Sequence, residues 1–236
     1  MITHGKIYIW DKFMGRMALY IAQMELKIPK DLSHYIGIPG TSFMMEREQS
    51  HNYFDFDAAD AALRKDGLFM PSPAIFMPYR SHVIKAADGD VKLYDGAGKV
   101  LTRDEAKEVA RPLTEHCQAW LYARFAKQKG RTLITYNRIK NLDTIEEVTE
   151  ALQLKRNITD RDLVDLVFNE QGMPVRKSRR KEFDAKNNIG FHLPVNGSVA
   201  GFRADAGWAG LVCCGVPLVS VAALGVFACA AGAQKF

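Results

Sequence analysis

Residues 144–171 read TIEEVTEALQLKRNITDRDLVDLVFNEQ, and the conformation of this stretch decides the character of the second half of the chain. Thr144 stands three residues before Glu147, and Thr159 three before Asp162. In that arrangement a hydroxyl caps a helix N-terminus while an acid reaches back to the cap. Gly172 and Pro174 then stop the second segment. The spacing predicts two helices, over about 144–154 and about 159–171.

Upstream, Thr102-x-x-Glu105 is a third capping box. Val109, Leu113, Cys117, Trp120, Leu121 and Phe125 follow at helical spacing down to Gly130, with Pro112 as a kink or division. Before it, Asp90–Leu101 (DVKLYDGAGKVL) alternates around Asp95-Gly96 and predicts a β-hairpin. After it, Thr132–Ile139 predicts a strand. Nearer the start, residues 6–10 read as a strand and 56–65 as a helix closed by Gly67. Phe13, Met17, Tyr20, Ile21 and Met24 mark one face of a helix over 11–27. Pro71, Pro73 and Pro78 predict extended or looped chain over 68–79. The fold expected is α+β: a mixed N-terminal part with a β-hairpin near 90–101, a helix-rich second half, and one or more buried apolar C-terminal helices.

Length and composition bound the function classes. The chain has 236 residues, 47% hydrophobic and 25% charged, enough for a sizeable core. This excludes collagen-like and disordered chains. Four cysteines, Cys117, Cys213, Cys214 and Cys229, show no CxxC spacing, which argues against a disulfide scaffold or a zinc finger. Residues 1–10 are too short an apolar run for a signal peptide, so a cytoplasmic location is expected. Residues 1–205 read as one mixed domain and 206–236 as an apolar element packed on that domain or on a partner.

The charge is uneven. Residues 121–181 hold 14 Lys+Arg against 8 Asp+Glu, a net of +6, while the whole chain is +5. The densest run is Arg176, Lys177, Arg179, Arg180 and Lys181, in MPVRKSRRKEFDAKNN, which reads as an exposed arm. Such a run repels itself and calls for counter-charge, which phosphates supply. Lys127, Lys129, Arg131, Arg138 and Lys140 form a second cluster around Tyr122, Phe125 and Tyr136, a composition suited to single-stranded nucleic acid. A DNA-reading helix-turn-helix over 144–171 is disfavoured, because the second helix would carry Asp160, Asp162, Asp165 and Glu170 against Arg161.

The tail is the opposite case. No charged residue occurs from Ala206 to Gln234, and 211–229, LVCCGVPLVSVAALGVFAC, would span about 28 Å as a helix. Gly215, Pro217 and the many small residues favour burial in protein, in this chain or against another subunit; a tail-anchored membrane span over 211–229 is the alternative. His51, Asp55 and Asp57 in SHNYFDFD, with Glu46 and Asp60 nearby, offer a metal-dependent hydrolase as a further alternative. No P-loop, GxSxG, HExxH or dinucleotide fingerprint occurs, and no cofactor, bound metal or catalytic residue is assigned. The function expected is a non-enzymatic nucleic-acid-binding subunit of a larger nucleoprotein assembly. It would contact RNA or single-stranded DNA through the basic arm.

Overall fold

The computed structural model describes residues 7–11, 16–20, 26–52, 54–141, 143–205, 207–218 and 224–236. Its strands are β1 (Ile7–Asp11), β2 (Arg16–Tyr20), β3 (Tyr35–Gly37), β4 (Phe43–Glu46), β5 (Cys117–Gln128), β6 (Arg131–Asn141), β7 (Thr144–Ala151), β8 (Asp162–Asp165), β9 (Asn188–His192), β10 (Val199–Asp205), β11 (Trp208–Gly215) and β12 (Cys229–Ala231). Its helices are α1 (Phe56–Asp66), α2 (Pro73–Asp88) and α3 (Arg103–Thr114). Nine strands form one sheet in the order β1-β2-β7-β6-β5-β10-β11-β9-β8, and β12-β4-β3 form a second, small sheet. Neighbours in the large sheet are antiparallel except β11 and β9, which run parallel.

Strand β5 lies in the middle and is covered on both faces. Cys117, Ala119, Leu121, Ala123 and Phe125 enter the large core, which also takes Phe76, Tyr79 and Val83 of α2 and Val109 and Leu113 of α3. Trp120 and Tyr122, on the alternate positions, enter a second core with Phe56, Ala59 and Leu63 of α1 and with Leu224, Val226 and Ala228 of the tail. Gly225 brings the tail onto β5: the Trp120 amide donates to its carbonyl at 2.9 Å, and its own amide donates to Gln118 O at 3.0 Å.

The expected helix-rich second half is overturned: no helix follows Thr114 among the described residues. Residues 117–125 mimic helical spacing because both faces of β5 are apolar, so residues three apart, on opposite faces of the strand, are hydrophobic as well as those four apart, on one face. Residues 144–151 form β7, where four of eight residues (Thr144, Ile145, Val148, Thr149) are β-branched and fit a pleated surface. At 159–162 the local signal is real. Asp162 Oδ2 accepts from Thr159 N at 2.7 Å and from Thr159 Oγ1 at 2.9 Å. Arg161, however, sits at φ 63, which turns the chain into β8 instead of a helix.

The apolar tail is also not helical where it is described. Trp208–Gly215 is a strand of the large sheet and Cys229–Ala231 one of the small sheet. No helix among the described residues is long and apolar enough to cross a membrane. The helix expected over 11–27 is contradicted by β2, and the rest of that span lies largely outside the described residues. The proline-rich stretch instead opens α2. Pro73 occupies its first turn, where no amide partner is lost. Pro78 removes one bond, offset by the burial of Ile75, Phe76, Met77, Tyr79, Val83 and Ile84.

Other expectations hold. Leu93 and Leu101 join through their backbones, Tyr94 pairs with Val100, and Asp95 Oδ1 accepts from the Ala97 and Lys99 amides, closing the tight turn at 95–99. The Thr102–Glu105 capping box is complete in both directions, and Asp55 caps α1 by accepting from Ala58 N at 2.8 Å.

Two substitutions test this architecture. Thr102→Ala should cost about 1 kcal/mol, the usual loss on removing a cap. Gly172→Ala should cost more. Gly172 has φ +74, and a Cβ there would stand 2.2 Å from Pro73 C and 2.3 Å from Ala74 N, at the start of α2. The left-handed backbone alone accounts for about 1–3 kcal/mol. Urea denaturation midpoints measure both, and equal midpoints for wild type and Gly172→Ala would contradict the packing of the 169–173 turn on α2.

Candidate nucleic-acid interface

The basic arm is not a free loop. Residues 174–178 run along β8: Val164 pairs with Lys177 and Phe168 with Pro174, Asp165 N donates to Arg176 O at 3.1 Å, and Ser178 N to Leu163 O at 2.8 Å. Three of its five cations find carboxylates inside the fold. Arg176 pairs with Asp165 at 2.5 Å, Lys177 with Asp162 at 2.5 Å, and Arg180 with Asp184 at 3.4 Å. Arg179 and Lys181 are exposed and make no ion pair with a described residue. Two of the four acids that argued against a recognition helix, Asp162 and Asp165, thus serve as counter-charges of the arm.

The second predicted cluster divides. Arg138 and Lys140 sit on the far half of β6, both on Glu146, at 2.5 and 3.5 Å. Lys127, Lys129 and Arg131 gather at the β5–β6 turn, where Lys129 (φ 49) and Gly130 (φ 76) both take the left-handed backbone that a tight two-residue hairpin demands. Tyr122, Phe125 and Tyr136 are buried, so none offers a ring for stacking. The Tyr122 hydroxyl donates to Glu147, and that of Tyr136 to Glu150 at 3.1 Å.

Topology adds cations that the linear sequence keeps apart. The registers put the ends of β5, β7 and β9 and the starts of β6, β8 and β10 at one end of the sheet. The loops there are stitched together. Lys127 N donates to Asn196 Oδ1 at 2.7 Å, Leu152 N to Thr132 O at 2.9 Å, Arg161 N to Phe191 O at 2.8 Å, and Leu193 N to Asp160 Oδ1 at 2.9 Å. Within the 152–161 crossing, Ile158 is buried while Leu152 and Leu154 pack on the same core. That leaves Lys155 and Arg156 facing solvent. Lys127, Lys129, Arg131, Lys155, Arg156 and Arg161 therefore share this end, all exposed. Arg161 pairs with Asp160 at 3.7 Å in an open setting; the other five make no ion pair with a described residue. Sequence reading missed Lys155 and Arg156, because a helix over 144–154 would have carried them elsewhere.

The residues of the hydrolase alternative are dispersed into separate tasks. Asp55 caps α1, Asp57 pairs with Arg124, and His51 Nδ1 lies 2.8 Å from Ser50 Oγ. No group of three or more His, Cys, Asp or Glu is placed to hold a metal ion among the described residues. Glu46 belongs to the same corner as His51. Burial pushes its carboxyl above the ordinary range, although Ser50 Oγ donates to it at 2.5 Å and Ala228 N at 2.9 Å.

That shift has a testable sign. The folded state holds the Glu46 proton more tightly than the unfolded chain does, so this group's contribution to stability is greatest at low pH. It declines as pH rises through the folded pKa, above the usual 4.5. Glu46→Gln keeps an acceptor for both donors and should flatten that decline, read from melting temperatures between about pH 5 and pH 8. An unchanged pH profile would show that the carboxylate is not penalised by burial.

Comparison of the chain with protein-family models, with curated proteins and with solved structures finds no match to any of them.

Proposed function

We propose that the chain binds nucleic acid through its sugar–phosphate backbone, at the end of the sheet that carries Lys127, Lys129, Arg131, Lys155, Arg156 and Arg161. The observation that supports this reading is the contrast in charge partners. The cations of the arm at 176, 177 and 180 and those at 138 and 140 have carboxylates within the fold. Five of those at the sheet end have none among the described residues. Clustered, solvated cations without internal partners raise the local potential, and a polyanion relieves their repulsion while releasing condensed counterions.

Under this reading the chain acts as a binding component of a nucleoprotein assembly, with a cytoplasmic location. Val216 and Leu218, 57% and 76% exposed, are the large apolar tail residues open to a neighbouring subunit among those described. Arg179 and Lys181 extend the reading to the arm as auxiliary phosphate ligands.

The salt dependence of binding tests the assignment. Replacing Lys127, Lys129, Arg131, Lys155 and Arg156 by Ala should flatten the plot of log affinity against log salt by about 0.7–0.9 for each phosphate no longer neutralised. Replacing Arg176, Lys177 and Arg180 should leave that slope near the wild-type value, because their charges are engaged by Asp165, Asp162 and Asp184. Filter-binding titrations with a labelled single-stranded oligonucleotide over a salt series supply the measurement. An unchanged slope in the five-fold variant would sink the proposal.

A further inference from the structure

One face of the sheet carries a partly exposed aromatic ring in a setting unlike that of the buried aromatics. On β9, β10 and β11 the large core takes Ile189, Phe191, Ala200, Phe202, Ala204, Ala209, Leu211 and Cys213. Alternation sends Gly190, His192, Arg203, Trp208 and Gly210 to the opposite face. Gly190 and Gly210 are register partners on β9 and β11, and Arg203 of β10 is the partner of Gly210 on its other side. The Trp208 indole occupies the space over both glycines. A Cβ on Gly210 would stand 2.3 Å from its Cζ2, and one on Gly190 would stand 2.7 Å from its Nε1. The His192 and Trp208 rings form a T-shaped pair, with centroids 5.9 Å apart and planes at 71°. The indole is thus packed on glycine backbone and against His192, and the residue remains partly exposed.

The flanking charges are mixed, with Asp205 the register partner of Trp208 and Arg203 the nearby cation. Arg203 is exposed and makes no ion pair with a described residue. His192 has Asp160 3.8 Å away, and Asp205 accepts from Gly207 N at 3.1 Å. The row Arg203–Trp208–His192 also leads to the basic end, since Arg161 N donates to the carbonyl of Phe191, beside His192. We infer that Trp208, flanked by Arg203, is a stacking platform for an unpaired base of single-stranded nucleic acid whose phosphates continue onto Lys127, Lys129, Arg131 and Arg161. The inference rests on the proposed backbone-binding function and deepens it. It specifies a single strand, because a paired base within a duplex does not present its face to a protein ring.

The experiment compares a labelled oligothymidylate with an abasic deoxyribose-phosphate strand of the same length, which keeps the charges and lacks the bases. Wild type should prefer the oligothymidylate roughly tenfold, within the range for one stacked base. Trp208→Phe should keep part of that preference, and Trp208→Leu, which still covers the glycines, should abolish it while leaving abasic-strand affinity unchanged. In parallel, oligothymidylate but not the abasic strand should quench wild-type tryptophan emission, a reading that stands even where Trp208→Leu fails to melt cooperatively. Equal affinity of wild type for both strands, or a folded Trp208→Leu variant that keeps the preference, overturns the platform but leaves backbone binding intact. Binding of neither strand overturns both.

Discussion

Covering both faces of β5 at once is the constraint on which the remaining architecture depends. Its alternate residues Ala119, Leu121 and Ala123 and Trp120 and Tyr122 belong to two different cores. The strand is stable only when α2 and α3 close one side and α1 with the 224–228 segment closes the other. Truncating a large side chain in either core costs about 2–5 kcal/mol, a substantial part of the roughly 5–15 kcal/mol that separates folded from unfolded domains. The uncharged tail is explained by the same requirement. It threads between β4 and β5, with Ser50 and Val226 exchanging both backbone bonds and Gly225 bonded to β5. There is no room for a side chain at Gly225, where a Cβ would meet Asn52 Oδ1 at 2.2 Å and Ser50 O at 2.8 Å.

A buried arginine ties the other side together. Arg80 of α2 is fully buried, and desolvation draws its pKa down to about 10. It has no carboxylate partner among the described residues. Its Nε donates to Leu113 O at 3.3 Å, its Nη2 to Ala185 O at 3.4 Å, and its guanidinium lies 5.1 Å from the centre of the Phe202 ring. It also holds back the thiol of Cys117, whose pKa burial nonetheless pushes up to about 12. One side chain thereby joins the end of α3, strand β10 and the loop at 185. That loop follows the basic arm, which is therefore fixed at both ends: along β8 before it, and over Arg80 after it.

The parts of this fold legible in the sequence are those whose signal is local and has a single geometric solution. The cap at Thr102, the left-handed stop at Gly67 and the turn at Asp95 each need a few neighbouring atoms, and each formed as expected. The second half was illegible because its signals have two solutions. Apolar residues on both faces of a central strand satisfy helical spacing, and the Thr159–Asp162 bond pair occurs in a turn as readily as in a helix. For the candidate site, charge density marked Lys127, Lys129 and Arg131 but did not separate them from the paired cations at 138, 140, 176, 177 and 180. Whether a cation is solvated or neutralised depends on partners distant in sequence, such as Lys186 with Asp88. Trp208 gave no signal at all, since its setting is made by two glycines, one of them eighteen residues away.

Charge pairing also accounts for the arm without a ligand. The segment 174–178 is hydrogen-bonded to β8, at the edge of the large sheet. An edge that presents unpaired backbone groups and apolar side chains invites another strand, and charged residues discourage it. Arg176 and Lys177 sit on this border, each held by an acid of β8, so their ion pairs fasten the segment to the sheet while their charge keeps the border from recruiting a second chain. Exposed ion pairs of this kind add about 0–1 kcal/mol each, too little for stability alone to explain five cations in six positions. At the basic end, by contrast, the backbone is already committed to hairpin and crossing turns, and its cations guard no edge. The same residue types, at similar density, thus face different physical demands in the two places. The set that neither guards an edge nor meets a carboxylate is the one on which the proposed binding of a polyanion rests.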